Sequence, residues 1–201
     1  MVICVDAFLN PELPKKLREL IDKFGIRIEI KPPINNTPLE DALDEYCDIL
    51  LDVSCGLNNK MPASVFKMAL PPEKLVIVAS GKVIKKYKSP VQMLKMENIF
   101  QRDVMIQHSV FQQIKKQLHE LSINGRFISL PDGYDVIGAL ILDMGIMLIS
   151  ENAINHPLFK ERNLEFMDMP KEFQFIINRG IYFKKERYDE LIDIVSCIHN
   201  S

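Results

Sequence analysis

Leu75-Val76-Ile77-Val78-Ala79-Ser80-Gly81 is the stretch on which the reading of this 201-residue chain turns. Three β-branched residues in a row inside an uncharged run predict a strand buried on both faces, and Gly81 breaks it. Upstream, the order is strand 2–5, helix 10–24, strand 26–30, helix 37–46, and a strand opening at Asp48-Ile49-Leu50-Leu51. Asn10 caps the first helix with Pro11 at its first position, and Leu13, Leu17, Leu20, Ile21 and Phe24 fall on one face before Gly25. Thr37-Pro38-Leu39-Glu40 carries the signals of a helix start, with Leu39, Ala42, Leu43 and Tyr46 as its inner face. A short strand is expected near 65–70. Downstream come a helix 89–94 opened by Ser89-Pro90, a strand 98–101, a helix 109–121 and a strand 126–130. A helix 134–144 closed by Gly145, a strand 146–149, a strand 174–178 and an amphipathic helix 188–198 (Tyr188, Leu191, Ile192, Val195) complete the chain.

Strands alternating with helices over connections of ordinary length predict parallel sheets. The expected fold is therefore α/β, with two Rossmann-like lobes, a cleft and two hinge crossovers. Lobe I takes residues 1–80 with 152–201 and lobe II takes 81–151. Ser80 and Gly81 form one candidate hinge and Ser150 the other.

Hydrophobic residues make up 47% of the chain and charged residues 26%, which suits a water-soluble domain with a real core. A net charge of −2 with short, scattered basic pairs (Lys15-Lys16, Lys85-Lys86, Lys115-Lys116, Lys184-Lys185) argues against a grip on nucleic acid by this chain itself. No apolar run approaches the roughly 18 residues of a membrane span. Val2–Val5 is too short for a secretory h-region, so a cytoplasmic location and no membrane contact are expected. Cys4, Cys47, Cys55 and Cys197 show no CxxC spacing and read as reduced thiols. His108, His119, His156 and His199 lie far apart without metal-ligand spacing, and no phosphate-loop, dinucleotide or nucleophile-elbow string occurs. No metal, no cofactor, no catalytic set and hence no enzyme are expected.

Ligands of such folds sit where strand C-terminal ends face the cleft. That rule nominates Asp6 and Phe8 after the first strand, Arg102 and Gln107 after the strand 98–101, and Asp132 and Tyr134 before the Gly138 helix. Arg102 suits a two-pronged clamp on a carboxylate, or a salt bridge to Asp103. Tyr134 suits stacking on a ring, or a place in the core. Asp132 is as readily a helix cap.

Five segments, in order, resemble the effector-binding (regulatory) domain of LysR-type transcriptional regulators, which has the type-2 periplasmic-binding-protein fold. They are Leu13-Pro14 with Leu17, Leu20 and Phe24; Leu43 with Cys47-Asp48-Ile49; and Leu70 with Glu73-Lys74-Leu75-Val76-Ile77-Val78. Ser89-Pro90 with Leu94, and Val136-Ile137-Gly138-Ala139-Leu140-Ile141 running to Met144-Gly145-Ile146-Met147-Leu148-Ile149-Ser150, complete the set. Tyr46 stands where that family commonly has Gly, Ser150 where it has Pro, and Lys82-Val83-Ile84 departs from the usual segment after the strand.

The resemblance implies a small-molecule effector, more apolar than an amino acid, and aromatic or carboxylate in kind. It also implies a side-by-side antiparallel homodimer, tetrameric in the full-length regulator. Helix one of one subunit would lie against the second lobe of the other. DNA contact would come only through an N-terminal helix-turn-helix, which this sequence does not contain; an isolated regulatory domain is thus expected, with a natural stand-alone relative as the alternative. Two other classes stay open: a stand-alone solute-binding protein or small-acid enzyme on the same fold, and an interaction domain whose cleft is filled by Phe8 and Tyr134.

Overall fold

The computed structural model describes residues 1–5, 13–31, 39–53, 61–102, 109–130, 135–160 and 162–199. The chain packs as two units, Met1–Pro72 with Asn178–Ser201, and Glu73–Ile177.

In the first unit, strands β1 (Val2–Val5), β2 (Glu29–Lys31), β3 (Ile49–Val53), β4 (Val65–Ala69) and β11 (Arg179–Lys184) form one sheet in the order β2-β1-β3-β11-β4. β1 pairs β2 and β3 in parallel, but β11 runs antiparallel to both β3 and β4. The expectation of purely parallel sheets is thereby corrected, because the chain returns to this unit as a strand rather than through a helix crossover. One face carries Ile3, Ile49, Leu51, Ile181 and Phe183 against α1 (Leu13–Phe24) and α8 (Tyr188–His199). The helices bring Leu17, Leu20, Leu191, Ile194, Val195 and Ile198, the i, i+3, i+4 spacing that makes one apolar stripe. The other face packs Cys4, Leu50, Val65 and Tyr182 against Leu39, Leu43 and Cys47.

The second helix differs from its expected form. A single turn, α2 (Leu39–Asp41), passes into a π turn over Ala42–Tyr46, whose last bond is Cys47 N–H to Ala42 C=O at 3.0 Å. The wider turn rotates Tyr46 out to 41% exposure and gives the inner place to Cys47. Tyr188, also expected inside, is 39% exposed, and Ile194 and Ile198 are buried in the last helix.

In the second unit, β5 (Glu73–Ser80) is central: it pairs antiparallel with β8 (Met147–Ser150), β9 (Leu164–Asp168) and β10 (Ile176–Ile177). β6 (Asn98–Arg102) and β7 (Arg126–Leu130) pair in parallel, and a bridge from Ile99 to Ile146 links β6 to the approach of β8. Helices α3 (Gly81–Lys86), α4 (Pro90–Met96), α5 (Ser109–Glu120), α6 (Val136–Ile141) and α7 (Pro157–Lys160) accompany them. α4 begins as expected, with Ser89 accepting a hydrogen bond from Gln92 N–H at 3.2 Å. α5 buries Val110, Phe111, Ile114 and Leu118. The chain passes between the units at Pro72–Glu73 and Ile177–Asn178. The ends of the expected lobes, at 80/81 and 151/152, fall inside the second unit, where β8 and β9 both pair with β5.

Candidate functional site

Of the sequence-nominated ligand residues, Asp6, Phe8, Gln107, Asp132 and Tyr134 lie outside the described residues. Arg102 is the last residue of β6, in register with Leu130 at the end of β7. Its backbone thus sits at the C-terminal edge of the parallel pair, as the strand rule anticipates.

The three hinge nominees are all within the second unit. Ser80 ends β5 and caps α3: its Oγ accepts from Val83 N–H at 3.2 Å and its hydroxyl donates to Asp143 Oδ1 at 2.5 Å. Lys82 Nζ reaches Asp143 Oδ2 at 2.8 Å. The hydrogen bonds from Lys82 and Ser80 hold the Asp143 carboxyl below the usual carboxylate range. Gly81 is the first residue of α3. Ser150 does the same work at the end of β8: it accepts from Asn152 N–H at 3.2 Å and donates to Glu73, which lies buried beside it. Glu151 accepts from Lys74 N–H at 2.9 Å. Serine caps thus close both ends of the β5–β8 ladder.

Sequence reasoning missed three buried polar residues. Gln101, 1% exposed, donates Nε2–H to Leu148 C=O at 2.7 Å and ties β6 to β8. Glu73 and Arg179 are 5% and 6% exposed. The signal for Arg179 is its place, with Asn178, between the apolar runs Phe175-Ile176-Ile177 and Ile181-Tyr182-Phe183.

At the opposite, N-terminal edge of the first unit's parallel strands lies an open groove of about 370 Å³, whose lining includes Asp44, Tyr46, Asp48, Lys184 and Arg187. Both of its cations are paired within the fold. Asp48 accepts from Val2 N–H at 2.5 Å and from Arg187, which also holds Glu190 at 2.6 Å; Lys184 holds Asp44 at 2.8 Å. Burial opposes ionisation of Asp48, but the bonds from Arg187 and Val2 N–H outweigh it and keep the carboxyl below its ordinary range. Cys4 and Cys47 are free and buried, and burial, helped by neighbouring Cys4, pushes the Cys47 thiol up to about 12. Among the described residues, no group of His, Cys, Asp or Glu is placed to hold a metal ion, and no helix is long and apolar enough to cross a membrane.

No protein-family model matches the chain, and no curated protein matches it. Solved structures do. The CcmR regulatory domain of Synechocystis, in complex with 2-PG, is 15% identical with a TM-score of 0.74, over 100% of this chain and 97% of that one. The regulatory domain of MetR, a LysR family regulator from N. meningitidis, is 12% identical with a TM-score of 0.73, over 100% and 92%. Full-length CbnR, complexed with its target DNA, is 11% identical with a TM-score of 0.70, over 98% of this chain and 68% of that chain. The fold of this chain is that of the LysR-family regulatory domain.

Proposed function

We propose that this chain is the ligand-sensing regulatory domain of a LysR-type DNA-binding transcriptional regulator, located in the cytoplasm. One observation supports the reading: the chain and the CcmR regulatory domain cover each other almost end to end, with a TM-score of 0.74. A small effector is bound at the strand C-terminal ends, where Arg102 closes β6. It acts by population shift, so that only its differential affinity for two conformations of the domain transmits a signal. The domain works as a homodimer, and DNA is reached through a separate helix-turn-helix.

The test is thermal denaturation of the purified domain against aromatic acids, amino acids and short organic acids. A ligand that binds only the native state raises the midpoint, by about 2.7 kcal/mol of stability at a hundred times its Kd. Light-scattering mass with and without that compound reads the assembly. No shift across the panel, with a monomer throughout, overturns the sensor reading.

A further inference from the structure

Met96 and Leu142, in the second unit, are 70% and 72% exposed, and Ile141 and Met144 stand in solvent beside Leu142. These apolar side chains come from two turns. One follows α4 and leads into β6; the other follows α6 and leads toward β8. Asn98 ties the turns together: its side-chain amide donates to Met144 C=O at 3.4 Å, and its carbonyl accepts from Ile146 N–H at 2.8 Å. Asp143, left-handed at φ 57°, makes the second turn sharp, with Leu142 and Met144 on its flanks. Folded monomers rarely leave large apolar side chains together in water, and such a patch with a polar rim marks a contact with another molecule.

The rim is basic on its outer side. Lys82 and Lys86, four residues apart on α3, reach Asp143 and Glu97, each at 2.8 Å, so this helix borders both turns. The two lysine side chains are 83% and 62% exposed, against 31% and 11% for the carboxylates, which places the positive groups outermost. Lys95 is exposed next to Met96.

The first unit carries the complementary surface. Its groove of about 370 Å³ is lined by four carboxylates and two cations, and the cations are held by Asp44 and Asp48. Glu45 and Glu186, both exposed, leave the groove with a negative excess, and Leu43 and the Tyr46 ring supply apolar wall.

We infer that the paired turns of one copy dock into this groove on a second copy, Leu142 and Met144 against Tyr46, and Lys82, Lys86 and Lys95 facing Glu45 and Glu186. The two sides of the contact are different surfaces, so it is heterologous. It does not use α1, the helix expected at the side-by-side dimer, and it stands whether or not the domain senses a ligand. Two turns in one groove fall short of the roughly 1,000 Å² of a stable interface, so the contact is weak and charge-assisted.

Sedimentation velocity of this domain from about 10 μM to about 1 mM spans the affinities of such contacts. The average mass of the wild type should rise with concentration, and rise less at about 500 mM salt than at about 50 mM. Leu142→Asp and Glu45→Lys both change exposed side chains, and each should weaken the association about tenfold or more. Mixed in equal amounts, the two variants should associate again, because one keeps the groove and the other keeps the turns. Circular dichroism of each variant reads its folding. A wild-type mass that does not change across the range, a Glu45→Lys domain that associates like the wild type, or a mixture no better than its parts overturns the inference. If the copies stay apart while an acidic amphipathic peptide moves the Met96 and Met144 methyl resonances, the patch belongs to a different partner and the second copy is refuted as its occupant.

Discussion

Gly145 and Gly138 lie seven residues apart in one segment, yet alanine should act on them in opposite ways. A Cβ on Gly145 would stand 2.3 Å from the carbonyl oxygen of Asn98 and 2.8 Å from the Phe100 ring. The obstructing atom is backbone, and it is the oxygen that accepts from Ile146 N–H at 2.8 Å, while Ile146 C=O accepts from Phe100 N–H at 2.8 Å. Relieving the clash means pushing β6 away from the approach to β8. That adds an overpacking cost of about 1–3 kcal/mol to part of two hydrogen bonds worth about 1 kcal/mol each. A total near 3 kcal/mol lowers the midpoint by roughly 6–12 °C in a chain of this length. At Gly138 the nearest atom, 2.9 Å away, is Oδ2 of the Asp135 side chain, which can swing aside. Alanine within α6 should then be neutral or stabilising by about 0.5–1 kcal/mol. Calorimetric melts of the two variants beside the wild type read the difference. If Gly145→Ala melts within about a degree of Gly138→Ala, the packing argument fails.

The Asp48–Arg187 pair gives a pH dependence of known sign. Its carboxyl is depressed in the folded state, so the stabilisation is complete above the unfolded value near about 4 and is lost as pH falls through the folded value. With side chains 32% and 26% exposed, the coupling in a double-mutant cycle of Asp48→Asn and Arg187→Met should be about 0.5–1 kcal/mol at pH 7. It should vanish near pH 2; an undiminished coupling there contradicts the assignment. The Cys47 thiol, pushed up to about 12 and buried, should carry about a thousandfold less thiolate at pH 8 than an ordinary cysteine. Cys197, partly exposed with Lys23 Nζ at 3.6 Å from its sulfur, should alkylate before Cys4 and Cys47, as peptide mass mapping after iodoacetamide will show. Faster labelling of Cys47 in the native protein counts against its burial.

Most of the fold is legible in residue patterns because amphipathic spacing records which face is buried. Leu17 and Leu20 at helical spacing, and Ser89-Pro90 at a helix start, sit where their chemistry puts them. The misreadings have local causes. Arg179-Gly180 looks like the end of a strand, yet β11 begins there; the Tyr182 ring lies over Gly180, its oxygen 2.9 Å from where a Cβ would stand. β9 shows fair alternation in Leu164-Glu165-Phe166-Met167-Asp168 but sits next to β5 through pairing that no local pattern records. Residues 42–46 keep a helical composition, and only the wider turn moves Tyr46 outward. The candidate site was less legible. Strand-end residues can be nominated by a topological rule, whereas the burial of Glu73, Gln101 and Arg179 depends on neighbours far along the chain.

The position of β11 also dictates an order of assembly. Its residues, Arg179–Lys184, are made late, and they lie between β3 and β4, which do not touch each other in the sheet. Until they arrive from the ribosome, β4 has no neighbour to pair with and the apolar face of Ile49 and Leu51 awaits the last helix. The run Glu73–Ile177 is continuous and can collapse first, since domains fold as units during synthesis. A chain cut just before Arg179 keeps every residue of the second unit and loses the seam of the first.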